Sequence, residues 1–162
     1  MRWMWIDRFV EFVEGSHAKA VKCVSLSEDH IHDHFPGLPM MPQSLMIEGM
    51  AQAGGILLGK VNDFKMAIVL AKVPRMTFHS WAIPGDTLTY TVKLIDARAE
   101  GGMVEVEARV GERLVAEGEI VFAHVSGKSA DGSDAQKFIF PTSLLGILEV
   151  GKAGAGLATQ ST

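Results

Sequence analysis

His34 opens a proline-punctuated stretch, His34-Phe35-Pro36-Gly37-Leu38-Pro39-Met40-Met41-Pro42, and Glu48 follows fourteen positions later as the only carboxylate between Ser44 and Gly59. An imidazole and a carboxyl are the two groups best suited to moving protons near neutral pH, so the pair reads as an acid/base couple. The prolines and Gly37 stiffen the segment, which would hold a base at fixed geometry before a helix begins. At that helix start, near Gln43, unpaired backbone N–H groups can stabilise developing negative charge.

Each of these residues also has a plainer reading. A loop histidine is often only a hydrogen-bonded structural residue, and a glutamate near a helix end can simply reach solvent. The combination is what counts: a carboxylate in a buried helix must be neutral, hydrogen-bonded or facing a cavity. Gln52, one turn on from Glu48, can fix its orientation. A competing pattern is the alternation of His30, His32 and His34, which on an extended strand would present three rings on one face as a metal site. No carboxylate is obviously placed to orient those rings, so the acid/base reading is preferred and no metal is expected. His17, His79 and His124 belong to no motif and are read as structural.

The elements that must position the pair follow from hydropathy patterning. Residues 5–13 mix aromatic and β-branched types and end at Glu14-Gly15-Ser16, and 18–24 alternate loosely, which predicts a hairpin. From Ser44 to Gly59 the apolar positions cover most of a helical wheel, the mark of a buried helix. Its small residues Gly49, Ala51, Ala53, Gly54 and Gly55 imply close approach to a sheet or a partner helix. Strand-like segments then run over 66–72, 75–81, 87–97, 102–110 and 114–124, with Pro84-Gly85-Asp86 suited to a type II turn. The expected architecture is α+β, an antiparallel sheet wrapped around one long helix.

With 162 residues and 48% hydrophobic content, one domain with an ordinary core is expected over 1–125. A Ser/Gly/Ala/Asp-rich linker over 126–137, a short apolar segment over 138–150, helical and docked, and a disordered tail over 151–162 complete the organisation. The net charge of −4 without a Lys/Arg cluster argues against a nucleic-acid partner. The longest apolar stretch falls short of the roughly 20 residues a spanning helix needs and contains Glu48 and Gln52, so no membrane insertion is expected. The lone Cys23 is read as a buried, unreactive thiol, which fits a cytoplasmic location.

At this point the chain resembles the hot-dog-fold 3-hydroxyacyl-[acyl-carrier-protein] dehydratases of bacterial fatty-acid synthesis. His34-Phe35-Pro36-Gly37, Pro39, Pro42, Glu48 and Ala51-Gln52 match that family's signature, and residues 6–10, 82–88 and 115–120 look like its first strand, its Pro-Gly-Asp segment and its last strand. The resemblance covers about residues 2 to 124. It implies a hydro-lyase that converts a (3R)-3-hydroxyacyl thioester on acyl carrier protein to the trans-2-enoyl thioester, without metal or organic cofactor. His34 and Glu48 would be catalytic, the Gln43 N–H would bind the thioester oxygen, and Gly37 and Gln52 would support them. Glu at position 48 points to the branch that does not isomerise the double bond.

The resemblance further implies a homodimer in which His34 of one chain works with Glu48 of the other, with a trimer of dimers as an open alternative. Gln43 departs from the family's glycine at that position, and the segment after Ser126 has no counterpart in the pattern. Two other functions stay open: a hot-dog thioesterase, and a catalytically silent acyl-chain or carrier-protein binding module.

Overall fold

The computed structural model describes residues 3–125 together with Gly146 and Ile147. Two strands open the chain, β1 (Arg8–Val13) and β2 (His17–Cys23), followed by a short helix α1 (Asp29–Asp33) and a long helix α2 (Gln43–Val61). Four strands follow: β3 (Ala67–Phe78), β4 (Thr87–Arg98), β5 (Gly101–Val110) and β6 (Arg113–Val125). All six form one sheet in the order β1-β2-β4-β5-β6-β3, each neighbouring pair antiparallel. β1 and β2 make the expected hairpin, Val13 opposite His17.

Alternation decides which face of the sheet receives α2. Along β4, Leu88, Tyr90 and Val92 are fully buried; on β5, Val104, Val106 and Ala108 point the same way. Helix α2 lies against that face, and its residues 49–59 are buried without interruption. Four glycines within α2 each cost up to about 1 kcal/mol of helix propensity. Full burial of Met46, Met50, Ile56, Leu57 and Leu58, at about 1.5–3 kcal/mol each, outweighs that cost. Gly49 shows why small residues are there: a Cβ would lie 2.7 Å from the Tyr90 ring and 2.8 Å from the Trp5 carbonyl oxygen. The close approach is to the sheet and the N-terminal segment of the same chain, giving the α+β hot-dog arrangement.

Two expectations need correction. Segments 66–72 and 75–81, expected as separate strands, are one strand, β3, whose register against β6 slips between Leu70 and Lys72 and again between Lys72 and Arg75. Pro74 falls in the second slip and cannot donate a ladder hydrogen bond, which is tolerated because β3 is an edge strand. Cys23 is exposed, not buried, because it ends β2 on the outward phase of the alternation, 3.8 Å from the Thr87 hydroxyl.

The Pro84-Gly85 turn closes as expected, Asp86 N–H donating to the Ile83 carbonyl at 3.0 Å. The linker over 126–137 and the tail over 151–162 lie outside the described residues, as does 138–150 apart from Gly146 and Ile147. Ile147 is buried within the core. Among the described residues, no helix is long and apolar enough to cross a membrane.

Candidate active site

His34 is the C-cap of α1, with helical φ −70° and ψ −49°, and its side chain is exposed beside the Phe35 ring. The chain then reverses: Leu38 N–H donates to the Phe35 carbonyl at 2.9 Å, with Pro36 and Gly37 at the two central positions. Gly37 has φ +79°, which glycine adopts without steric cost. Gly37 thus makes the turn. Met41 N–H donates to the Ala82 carbonyl at 2.8 Å and fixes the far end of the loop to the segment before β4.

Pro42 caps α2 with no side-chain acceptor for the helix's first N–H groups. Leu45 and Met46 both donate to the Pro42 carbonyl, at 3.0 and 3.1 Å, while the N–H groups of Gln43 and Ser44 take no partner among the described residues. Ser44 lines a recess of about 310 Å³ together with His30, Asp33, His34, Pro42 and Leu45, whereas Gln43 is not among its lining residues. The His34 imidazole and the positive end of a helix thus meet at one open concavity.

Glu48 sits one turn further along α2, half-buried. Gln52 Nε2 donates to Glu48 Oε1 at 3.0 Å and to the Trp3 carbonyl at 3.0 Å, and Gln52 Oε1 accepts from Trp5 N–H at 2.8 Å. Gln52 is itself buried, and all three bonds satisfy it, so the carboxyl is anchored as its spacing from Gln52 suggested. Glu48 does not line the recess that holds His34. One chain therefore brings His34 and the helix start together and leaves the carboxyl outside that recess.

The three-histidine alternation fails on geometry. Residues 29–33 are helical, not extended, so His30 and His34 share a face four residues apart while His32 points roughly opposite. Among the described residues no three metal-binding side chains cluster. His17 bonds Ser16 and Glu11, His79 bonds Glu117 and His124 bonds the Ala99 carbonyl, each in the structural role expected.

Sequence reasoning gave Trp5 no role and considered His30 only as one of three alternating histidines. The Trp5 and His30 rings meet edge-on, centroids 4.7 Å apart, and neither buried nitrogen, Trp5 Nε1 or His30 Nε2, has a hydrogen-bond partner among the described residues. Burial pushes the His30 imidazole below its usual range, against the opposing pull of Glu28. A helical reading of 29–34 would have revealed the shared face of His30 and His34.

Against known proteins, the model of the FabA-like domain matches residues 2–119. The chain is 37% identical over 119 residues to the 3-hydroxyacyl-[acyl-carrier-protein] dehydratase FabZ of Desulforamulus reducens, covering 73% of this chain and 84% of that protein. An uncharacterized protein of Pyrococcus horikoshii superposes with a TM-score of 0.62 at 18% identity, over 78% of this chain and 88% of that one. A hypothetical thioesterase of Streptococcus pneumoniae, solved with coenzyme A, gives 0.60 at 11% identity, over 75% and 88%. These two likenesses speak for the fold; the sequence match and the family model decide the lineage. With the His34 loop, the open start of α2 and the anchored Glu48 all inside the matched span, the chain belongs to the FabA-like domain family.

Proposed function

We propose that this protein dehydrates 3-hydroxyacyl thioesters carried on acyl carrier protein to trans-2-enoyl thioesters, as a hydro-lyase of fatty-acid biosynthesis. The observation that carries the reading is that His34 shares a recess with Ser44, whose N–H is unpaired among the described residues, in a chain 37% identical over 119 residues to a named dehydratase. In the mechanism, His34 takes the α-proton of the thioester. The thioester oxygen gathers the resulting charge and accepts hydrogen bonds from the Gln43 and Ser44 N–H groups. Glu48 gives a proton to the β-hydroxyl; the C–O bond breaks, water leaves and the C2–C3 double bond forms.

The absence of Glu48 from the recess of its own chain supports a dimer in which each site takes His34 from one copy and Glu48 from the other. A third function is then left to Gln52, which orients the carboxyl. The cytoplasm is the compartment that suits both a carrier-bound substrate and the exposed thiol of Cys23.

The direct test uses the reverse reaction. Crotonyl and longer enoyl thioesters should be hydrated, with loss of the enoyl thioester absorbance and formation of the 3-hydroxyacyl product. Release of free thiol with the acid would instead identify a thioesterase, and saturable binding without turnover a silent acyl or carrier-protein binding module.

A further inference from the structure

Trp5 touches both arms of the proposed site. Its main-chain N–H is held by Gln52, the residue that anchors Glu48, and its carbonyl oxygen packs against Gly49, the residue after Glu48. Its indole meets the edge of His30, which stands one turn before His34 on the same face of α1. A second indole, Trp3, packs edge-on against Trp5 at 5.3 Å and confines it from another side.

His30 is held from behind as well. Glu28 Oε2 lies 3.8 Å from His30 Nε2, and the same carboxylate accepts from the buried Lys22 ammonium at 2.7 Å and from Ser25 N–H at 3.1 Å. Helix α1 has only five residues and no side-chain cap, so its own hydrogen bonds cannot fix its direction. What fixes it, apart from buried Ile31, is the wedge of His30 between Trp5 and Glu28.

We propose that Trp5 and His30 are positioning residues: their edge-on contact sets the orientation of α1, and so of His34, relative to the turn of α2 that carries Glu48. The inference rests on His34 and Glu48 being the catalytic pair. The contact is made by rings, and neither Trp5 Nε1 nor His30 Nε2 has a hydrogen-bond partner among the described residues, so the shape of His30 matters more than its proton. Each chain thereby ties the base it lends to one site to the acid it lends to another.

The test is enoyl-thioester hydration by the full-length chain with His30→Leu, which keeps apolar bulk but loses the ring, and with His30→Phe, which keeps the ring. His30→Leu should lower kcat about tenfold while KM stays within about threefold, since misplacing a base slows the chemical step more than it weakens binding. His30→Phe should restore kcat to within about threefold of the parent. Trp5→Leu should match His30→Leu, and the double variant should lose no more than either single one, as coupled neighbours do.

A kcat within about twofold of the parent in folded His30→Leu overturns the inference, as does a loss that phenylalanine leaves unrepaired. If the leucine variants do not fold, His30→Phe alone decides, retained kcat supporting the ring contact and a tenfold loss rejecting it. His34→Ala is run beside them. Its continued turnover would reject the catalytic pair itself, whereas an inactive His34→Ala beside a normal His30→Leu would reject only the positioning role.

Discussion

The proposed base and the proposed acid are held in different ways. Around His34 the Pro-Gly turn and the main-chain bond from Met41 to Ala82 hold the loop that follows, the His30 ring holds the short helix before it, and the imidazole is left exposed. Around Glu48 a side chain does the holding, because buried Gln52 spends all its described hydrogen bonds on the carboxyl and on the main chain of Trp3 and Trp5. An exposed base can meet substrate arriving from solvent, and a half-buried acid is fixed before substrate arrives. The loop arm should therefore respond to changes in chain stiffness, and the helix arm to loss of polar partners.

The largest effects should come from the two proposed reacting groups. His34→Ala and Glu48→Ala should each lower turnover by about 10²- to 10⁴-fold while circular dichroism and melting stay close to the parent. In a shared-site dimer the two inactive variants complement. With random exchange about half the dimers are mixed and each has one intact site out of two, so about a quarter of parental activity returns. Verified exchange of tagged chains with no recovery would reject the shared site and leave each chain to its own pair.

Next come losses that act through stability, and here the helix arm should suffer more. Gln52→Leu leaves the Trp5 N–H without its acceptor and frees the Glu48 carboxyl; an unsatisfied buried donor costs about 1–3 kcal/mol. Both the urea midpoint and kcat should fall. On the loop arm, Gly37→Ala meets open space and loses only the comfort of φ +79°, about 1–2 kcal/mol. A Gly37→Ala variant less stable than Gln52→Leu in urea would reverse the ranking of the two arms.

Much of this arrangement was legible in the sequence because strong local signals agreed with one another. The buried helix over 44–59 follows from apolar coverage all round the wheel, and the Gln52 anchor from i, i+4 spacing; α2 adds only Gln43 and the Lys60–Val61 end. The failures have physical causes too. Segments 66–72 and 75–81 were expected apart, yet Pro74 between them sits at a sheet edge, where a missing N–H costs no ladder bond, so β3 runs through it. Histidines 30, 32 and 34 look alternating when written in a row, but a five-residue helix rotates His32 away and leaves His30 against Trp5, a partner 25 positions earlier that no local pattern announces.

The smallest effect separates the arms by pH. Burial holds the His30 imidazole below its ordinary value of 6.5, with Glu28 and Asp29 pulling the other way and Lys22 and His34 reinforcing the depression. An unfolded chain therefore takes up a proton at position 30 on acidification before the folded chain does, and the folded state loses stability as pH falls below about 6.5. Above that pH both states are neutral at His30 and the residue contributes no slope. The Glu28 carboxylate, whose burial penalty is outweighed by its bonds to Lys22 and Ser25, titrates below 4.5 and stays charged throughout the window. His30→Phe should remove this part of the acid sensitivity. The melting temperatures of parent and variant, compared at pH 8, 6.5 and 5.5, should keep a constant difference down to about 6.5, after which the difference should move in favour of the variant. Parallel curves across the whole range would mean that His30 titrates alike in both states, and that the wedge between Trp5 and Glu28 does not keep water from its ring.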